Sequence, residues 1–574
     1  MTRTGRQCDD RSPRFVPQSS SARRVRPRKA LMLVVVLVMV VLLSLLAASY
    51  AFMVRANMGA VMSNHHRFQA RMAAESGFQR AVAILRDNRN DPGLWYHNPD
   101  LFRGVLVEGT ESESDAAVLD RDNVRQYDPR AEPAWRFSLM APNYEDPTTV
   151  RYGLTDECSK LDLNRADENQ LRLLMETVIP QDIENAIDIN VLVDSLLDWR
   201  AASAGPRPNG AKDEYYQSLD PPYRCKQGPF VTVEELLLVR GFTAWVMFGE
   251  DYNRNGMLDP NEDDADASFP PDNADGLLYR GIAPFFTLWS QELNVSNDQR
   301  PRINLNMRDT QKLQELLSED MPSNIVNYVM QVRASGIAFN SVMNLIPAPP
   351  PPPQEEPPPE ESPPPTSQPQ FQDPATSQST SQPTDGMDAG SGNVSSDLKQ
   401  LSGASENKPP PLPVFKDLTD TPPPGTYEDL PLILDRLTVQ PVPAFVGRIN
   451  VNTAPLEVLG ALSELTDEEV LAIVDARREL APEERSTPAW LLTRGVLDEY
   501  QFRRILDKLA TKSSVFTIEC VGYADHVGVV ERINTVFEMR GPIPQVIYQR
   551  NLGSLGMAYT PHGLESRGLR EGSN

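Results

Sequence analysis

The stretch Asp251-Tyr-Asn-Arg-Asn-Gly-Met-Leu-Asp-Pro-Asn-Glu262 puts oxygen donors at the first, third, fifth, ninth and twelfth places of a short loop, with Gly256 at the sixth. That register is what a calcium ion needs to be wrapped by one loop: hard oxygen ligands in sequence, a glycine at the sharp turn and a carboxylate closing the set. Asp251, Asn253 and Asn255 would supply side-chain oxygens and Met257 a backbone carbonyl. Asp259 would bind directly or through water, and Glu262 would bind with both oxygens. The competing reading is an acidic solvated loop, to which Asp263, Asp264 and Asp266 also belong. Pro260 and Pro270 oppose a long helix after the loop, so the expected role of Ca²⁺ is structural rather than sensory.

Other catalytic or metal patterns are missing from the sequence. It has no P-loop, no GxSxG and no HExxH. His65 and His66 are neighbours, so their side chains diverge around a helix. Carboxylates abound, but abundance selects no acid and base pair, and the chain is expected not to be an enzyme. Four cysteines, Cys8, Cys158, Cys225 and Cys520, form no CxxC and no zinc spacing. Cys158 and Cys225 are expected to pair in an oxidising compartment, leaving Cys520 in a strand, although spacing alone does not dictate connectivity. The net charge of −24, from 79 Asp and Glu against 55 Lys and Arg, disfavours nucleic acid and anionic lipid as partners of the exported part.

The elements that position these residues begin with residues 30–54, an apolar run without a charge. At about 1.5 Å per residue it exceeds a hydrocarbon layer of roughly 30 Å, so it can span a bilayer. Nine basic residues precede it, Arg3 to Lys29, against Asp9 and Asp10. The excess holds the N-terminus in the cytoplasm and directs everything after Arg55 outside. A cleaved secretory signal is the competing reading, but its apolar region would be shorter. Beyond Val54 the chain stays rich in Ala, Met, Gln and Arg without proline, so one helix is expected to run to about Arg86.

A basic leader, an apolar half-helix and an amphipathic half-helix carrying Ala73-Ala-Glu-Ser-Gly77 resemble the N-terminus of type IV pilin-like proteins, and in particular the minor pseudopilin K of type II secretion. The resemblance implies cleavage by a prepilin peptidase between Lys29 and Ala30. Two departures stand out. Family members usually carry Gly where Lys29 stands, and the Glu that major pseudopilins carry five residues after the cut is replaced by an apolar residue, as is usual in the K type.

Past turn formers at 88–92, short alternating segments at 104–108, 135–140 and 150–154 read as strands of a small sheet over residues 91–158. An internal repeat follows. Lys160-Leu-Asp-Leu-Asn164, Arg302-Ile-Asn-Leu-Asn306 and Arg448-Ile-Asn-Val-Asn452 share one pattern, a short strand ending at an Asn able to cap a helix. Leu171 with Leu174, Leu313 with Leu316, and Leu459 with Leu462 recur at matching offsets on one helical face. Arg200, Arg333 and Arg477 close a second helix in each copy. Two of the copies then carry an Arg-Gly stop, at Gly241 and Gly495. These look like three diverged helix-hairpin-helix units. DNA binding does not follow, because the third copy offers no glycine hairpin and its Thr466 and Glu469 form a capping box that satisfies the amides internally. The run Ile449-Asn-Val-Asn-Thr-Ala-Pro-Leu-Glu-Val-Leu459, with Asp213-Glu-Tyr-Tyr216 and Leu219-Asp-Pro-Pro-Tyr223, is again similar to pseudopilin K.

Residues 347–426 are dominated by Pro, Glu, Ser, Gln and Thr, a composition that cannot bury enough apolar surface to order itself, and read as a spacer. Two strands at 515–524 and 527–540 are expected to return to the N-terminal sheet. The expected fold is therefore α+β: a long N-terminal helix packed on a small antiparallel sheet, with an inserted helical head. Its parts are a leader at 1–29, a membrane half-helix at 30–54, an exposed half-helix at 55–90, the sheet at 91–158 and a head at 159–346. The linker at 347–426 precedes a third repeat at 427–510, C-terminal strands at 511–545 and a tail at 546–574. The resemblance implies a minor pseudopilin at the pseudopilus tip, in the inner membrane with the bulk of the chain periplasmic. Its partners would be other minor pseudopilins, the major pseudopilin, the prepilin peptidase, the lipid bilayer and a secreted substrate, with no nucleic acid. The alternatives are a minor pilin-like protein of a pilus or DNA-uptake machine, and a membrane-anchored scaffold or adhesin.

Overall fold

The computed structural model describes residues 28–107, 117–119, 125–127, 134–180, 187–203, 205–267, 272–348, 422–524 and 527–556. The leader before Arg28, most of the Pro-rich tract, the junction at 525–526 and the last part of the tail lie outside them. Two compact units divide the chain after Gln69.

The first unit contributes the start of one long helix, α1 (Arg28–Asn88). Its apolar stretch is exposed from Met32 to Val54 and long enough to cross a membrane. Leu, Val, Met and Ala dominate it, and Ser44 returns its hydroxyl to the Val40 carbonyl, so that polar group is satisfied within the helix.

In the second unit the rest of α1 lies on an antiparallel sheet. Its strands are β1 (Val105–Leu106), β2 (Trp135–Pro142), β3 (Val150–Arg151), β4 (Thr155–Asp156), β5 (Val515–Ala524), β6 (Val530–Glu538) and β7 (Gln545–Asn551). The order is β1-β2-β5-β6-β7, with β3 beside β2 and β4 beside β5. Thus 515–524 and 530–538 form a hairpin and return to β2, as their alternation predicts. The C-terminal boundary differs from expectation: β7 pairs with β6 and continues the sheet to Asn551, six residues past the expected end of the C-terminal strands at 545.

Small residues set the approach of helix to sheet. A side chain at Gly77 would begin 2.9 Å from the Phe137 ring, and one at Gly522 only 1.9 Å from the Ala70 carbonyl oxygen. Ala70, Ala73, Ala74 and Ala81 are buried on the same side, so Phe78, Val82 and Leu85 can reach Phe137, Leu139, Phe516 and Phe537. Phe78 meets Phe537 edge to face at 5.2 Å. Burying each such side chain is worth about 1.5–3 kcal/mol.

Between β4 and β5 in sequence come the helices α2 (Glu168–Val178), α3 (Ile189–Arg200), α4 (Thr310–Asp320), α5 (Ser323–Ala334), α6 (Leu456–Gly460) and α7 (Asp467–Glu479). They are two per repeat, and Leu171, Leu174, Leu313, Leu459 and Leu462 are fully buried in one core shared by all three copies. In the second copy Leu317 rather than Leu316 is the more deeply buried.

The repeat asparagines do something other than expected. Asp167 and Asp309 cap α2 and α4, and α6 starts after Pro455 with no side-chain cap. Asn164 instead accepts from the Phe230 amide at 2.8 Å and donates to the Phe230 carbonyl at 3.1 Å. Asn306 makes the same pair with Phe339, both at 2.8 Å, and Asn452 donates to the carbonyls of Arg485 and Thr511. The arginine closing each second helix binds carbonyls just after the repeat strand: Arg200 those of Leu163 and Ala166, Arg333 that of Met307, Arg477 those of Val451 and Ala454. Each copy is thus stapled from both sides by groups that backbone alone would leave unpaired.

Each repeat strand also gains a parallel partner that alternation alone did not reveal. Leu161–Asp162 pairs with Phe286–Thr287, Ile303–Asn304 with Leu437–Thr438, and Ile449–Asn450 with Leu509–Ala510. The second of these pairings spans the Pro-rich tract. Gly425 donates to the Leu345 carbonyl at 2.9 Å, and Asn324 to that of Pro424 at 3.3 Å. The tract therefore does not space two bodies apart: the chain before and after it is joined at one place, and residues 422–438 complete the second copy rather than open the third.

Candidate calcium loop and membrane helix

Residues 251–262 lie against the sheet after a short helix, Ala244–Phe248, and end in a single 3-10 turn, Pro260–Glu262. Pro260 opens that turn, and among the described residues just after it there is only another short turn, Ala265–Ala267. Gly256, with φ +71°, makes the expected sharp bend, and a side chain there would begin 2.9 Å from Pro142.

The loop side chains turn inward. Asp251 is buried and accepts from the amides of Asn255 at 2.9 Å and Gly256 at 3.0 Å. Glu262, 1% exposed, accepts from the amides of Tyr252 at 3.0 Å and Asp259 at 3.1 Å. Asp259 accepts from the side-chain amides of Asn253 at 2.7 Å and Asn255 at 2.8 Å. The Asn253 and Asn255 side-chain oxygens in turn accept from the amides of Asn255 and Met257.

Five of the six expected ligand residues are therefore knitted into one turn by their side chains, and the sixth, Met257, is bound through its amide. Among the described residues no group of three or more His, Cys, Asp or Glu gathers as a ligand set by itself, so an ion here would depend on the asparagine oxygens and a carbonyl as well. The donor chemistry fits a hard cation. Burial pushes Glu262 up to about 8, with the Asp251 and Asp259 charges adding to the rise, and burial pushes Asp251 up to about 6 against the pull of Arg532 and Arg280. Carboxylates crowded and desolvated in this way are stabilised in their charged form by a cation between them.

Three residues that local sequence patterns did not single out hold the loop in place. Arg532 of β6 donates to the carbonyls of Asn253 and Arg254, both at 2.6 Å. Arg280 donates to the carbonyls of Gly256 at 3.1 Å and Asn143 at 2.6 Å, and the Leu258 amide donates to the Pro147 carbonyl at 2.9 Å. The one available signal was an arginine at an inward place of an alternating strand.

The other predicted sites fall apart from this loop. Cys158 and Cys225 are both buried free thiols, which corrects the expected pairing. Cys158 lies on the turn after β4, where its amide donates to Asp156, whereas Cys225 lies in the core of the first repeat with its thiol directed at the Asp198 carbonyl 3.7 Å away. Each is committed to its own packing environment. Lys29 and Ala30 fall within the first residues of α1. Thr466 and Glu469 make the expected capping box, with the Thr466 amide donating to Glu469 at 2.8 Å.

Fold and site define a class: an α+β protein with an N-terminal helix fit to anchor it in a membrane, an antiparallel sheet laid on that helix, and a loop of buried carboxylates. Within that class the chain is particular. Residues 159–247 match the family described as Type II secretion system (T2SS), protein K, in agreement with the resemblance read from the sequence. That family is a structural component of the secretion system. No curated protein matches the sequence. Among solved structures, one chain of the GspK-GspI-GspJ complex from the enterotoxigenic Escherichia coli Type 2 Secretion System is similar over 86% of this chain and 99% of its own. Identity is 10% and the TM-score 0.35, too low to carry an argument.

Proposed function

We propose that this chain is a minor pseudopilin of a type II secretion system, placed at the tip of the pseudopilus, where it helps to initiate assembly and protein export without catalysing a reaction. The observation that carries the reading is the match of residues 159–247 to the protein K family on the same chain as α1. The exposed apolar start of that helix is stable in lipid, and can leave lipid only where the helices of sister subunits replace it. Other minor pseudopilins and the major pseudopilin are the partners this implies. The basic leader orients the chain with its N-terminus in the cytoplasm and its bulk in the periplasm, the bilayer in question is the inner membrane, and a prepilin peptidase would cut between Lys29 and Ala30. A head of three helix-hairpin-helix-like copies would obstruct addition of another subunit above it, which favours the tip. Affinity purification of the full chain from detergent-solubilised membranes tests the reading. Other pseudopilins are expected to co-purify, and the recovered chain is expected to begin at Ala30. Recovery with pilus or DNA-uptake subunits instead would overturn it.

The loop from Asp251 to Glu262 is proposed to bind one structural Ca²⁺ through Asp251, Asn253, Asn255, the Met257 carbonyl, Asp259 and Glu262. Because an ion that binds only the folded state stabilises it by RT ln(1 + [L]/Kd), Ca²⁺ should raise the thermal midpoint of the wild type above its value in chelator. It should not do so for the Asp251→Ala, Glu262→Ala double variant. Equal midpoints in the wild type would refute the site.

A further inference from the structure

We propose that Arg532 is a positioning residue of the calcium loop, an arm reaching from the C-terminal half of the sheet to set the loop's ligand geometry. The inference rests on the reading of residues 251–262 as a calcium site. Arg532 stands in β6, 279 positions along the chain from Asn253, yet its guanidinium is completely buried and spans to the loop. One fork nitrogen donates to the Asn253 carbonyl and the other to that of Arg254, each at 2.6 Å, while the third nitrogen, Nε, binds Glu519 on the adjacent strand β5.

Three consequences follow for the loop. Fastening two consecutive carbonyls sets the peptide planes around Arg254, whose φ of +56° is a conformation that a residue with a side chain rarely adopts unaided. Its own guanidinium is held 3.8 Å above the Phe248 ring, so the turn is clamped on both sides. Next, those two carbonyls and that of Gly256, taken by Arg280, are directed at arginines. The Met257 carbonyl, at the place a calcium loop uses, is claimed by neither. Lastly, Glu519 pairs with Arg532 and offsets part of its charge, so the arm brings rigidity to the site with less repulsion of a cation than a lone arginine would. Lysine could not substitute, since a single ammonium on a flexible stem lacks the planar fork that meets two carbonyls at once.

Calcium titration of the full chain in detergent, by calorimetry and by melting with Ca²⁺ or chelator, tests the proposal on the wild type, Arg532→Lys and Glu519→Gln. Arg532→Lys is expected to weaken Ca²⁺ about tenfold or more, as loss of support behind metal ligands does, and to shrink the difference between the calcium and chelator midpoints. Glu519→Gln, which keeps the arginine and a neutral acceptor, should act in the same direction by less, and carries the test alone if the lysine variant does not fold. If the variants lower both midpoints equally and bind Ca²⁺ as the wild type does, Arg532 only holds the fold together and the proposal is overturned while the calcium site stands. If the wild type binds no Ca²⁺, the calcium reading itself falls and takes this inference with it.

Discussion

Asp162 offers the sharpest test among single residues, because the chain contains its own control. Its carboxylate is buried in the first repeat strand, accepts from the Asn164 amide at 2.8 Å and is pushed by burial up to about 6. The equivalent places of the other copies hold Asn304 and Asn450, whose oxygens accept the same bond from Asn306 and Asn452. A carboxyl whose folded value lies above its unfolded one keeps its full contribution below the unfolded value of about 3.9, and loses it as pH rises toward 6. Asp162→Asn retains the acceptor and removes the titration. Denaturant melts should therefore show the variant gaining on the wild type between about pH 4 and 6, by on the order of 1–3 kcal/mol. Parallel pH profiles would refute this. The repeat pattern itself was legible residue by residue, but the work of its asparagines was not. Asn164, Asn306 and Asn452 bind segments that lie 66, 33 and 33 positions further on, and a partner at that range leaves no local signature.

Among elements, α1 and the sheet were readable from hydropathy and alternation, while their spacing depended on Gly77 and Gly522, which no periodicity singles out. Gly522 faces the Ala70 carbonyl too closely for any side chain. Gly522→Ala must push helix and sheet apart or bend β5, and overpacking of this kind costs about 1–3 kcal/mol or more. Gly59, where nothing lies within 4 Å, is the comparison: Gly59→Ala should be neutral or slightly stabilising through helix propensity. Thermal melts of the two variants in one detergent would decide it, and equal midpoints would show that the close approach is not a constraint. The short parallel ladders of the repeats escaped sequence reading for a related reason. Two-residue strands such as Ile303–Asn304 are too brief for a period, and their partners arrive from distant chain.

For the whole molecule, the meeting of Leu345 and Gly425 turns the Pro-rich tract into an excursion from one continuous core. Replacing residues 349–421 with a short Gly-Ser link should leave the fold intact and its midpoint equal or raised, since each halving of a flexible loop removes only about 0.6 kcal/mol of closure cost. Unfolding of the head in two separate transitions would contradict a single core. The sequence alone determined what depends on composition and short-range order: an apolar run able to cross a membrane, an acidic exterior, three related copies, a twelve-place loop with calcium spacing, and the resemblance to protein K. Those properties are written in consecutive residues, because hydrophobic transfer, helix periodicity and loop ligation act over a few positions. Only tertiary structure decided that Cys158 and Cys225 stay apart, that residues after the tract complete a repeat before it, that β7 extends the sheet, and that Arg532 reaches the loop. The closing of the repeat across the tract and the reach of Arg532 are contacts between segments far apart in the chain, and which distant groups meet is settled by the packing of the whole core rather than by any stretch of it.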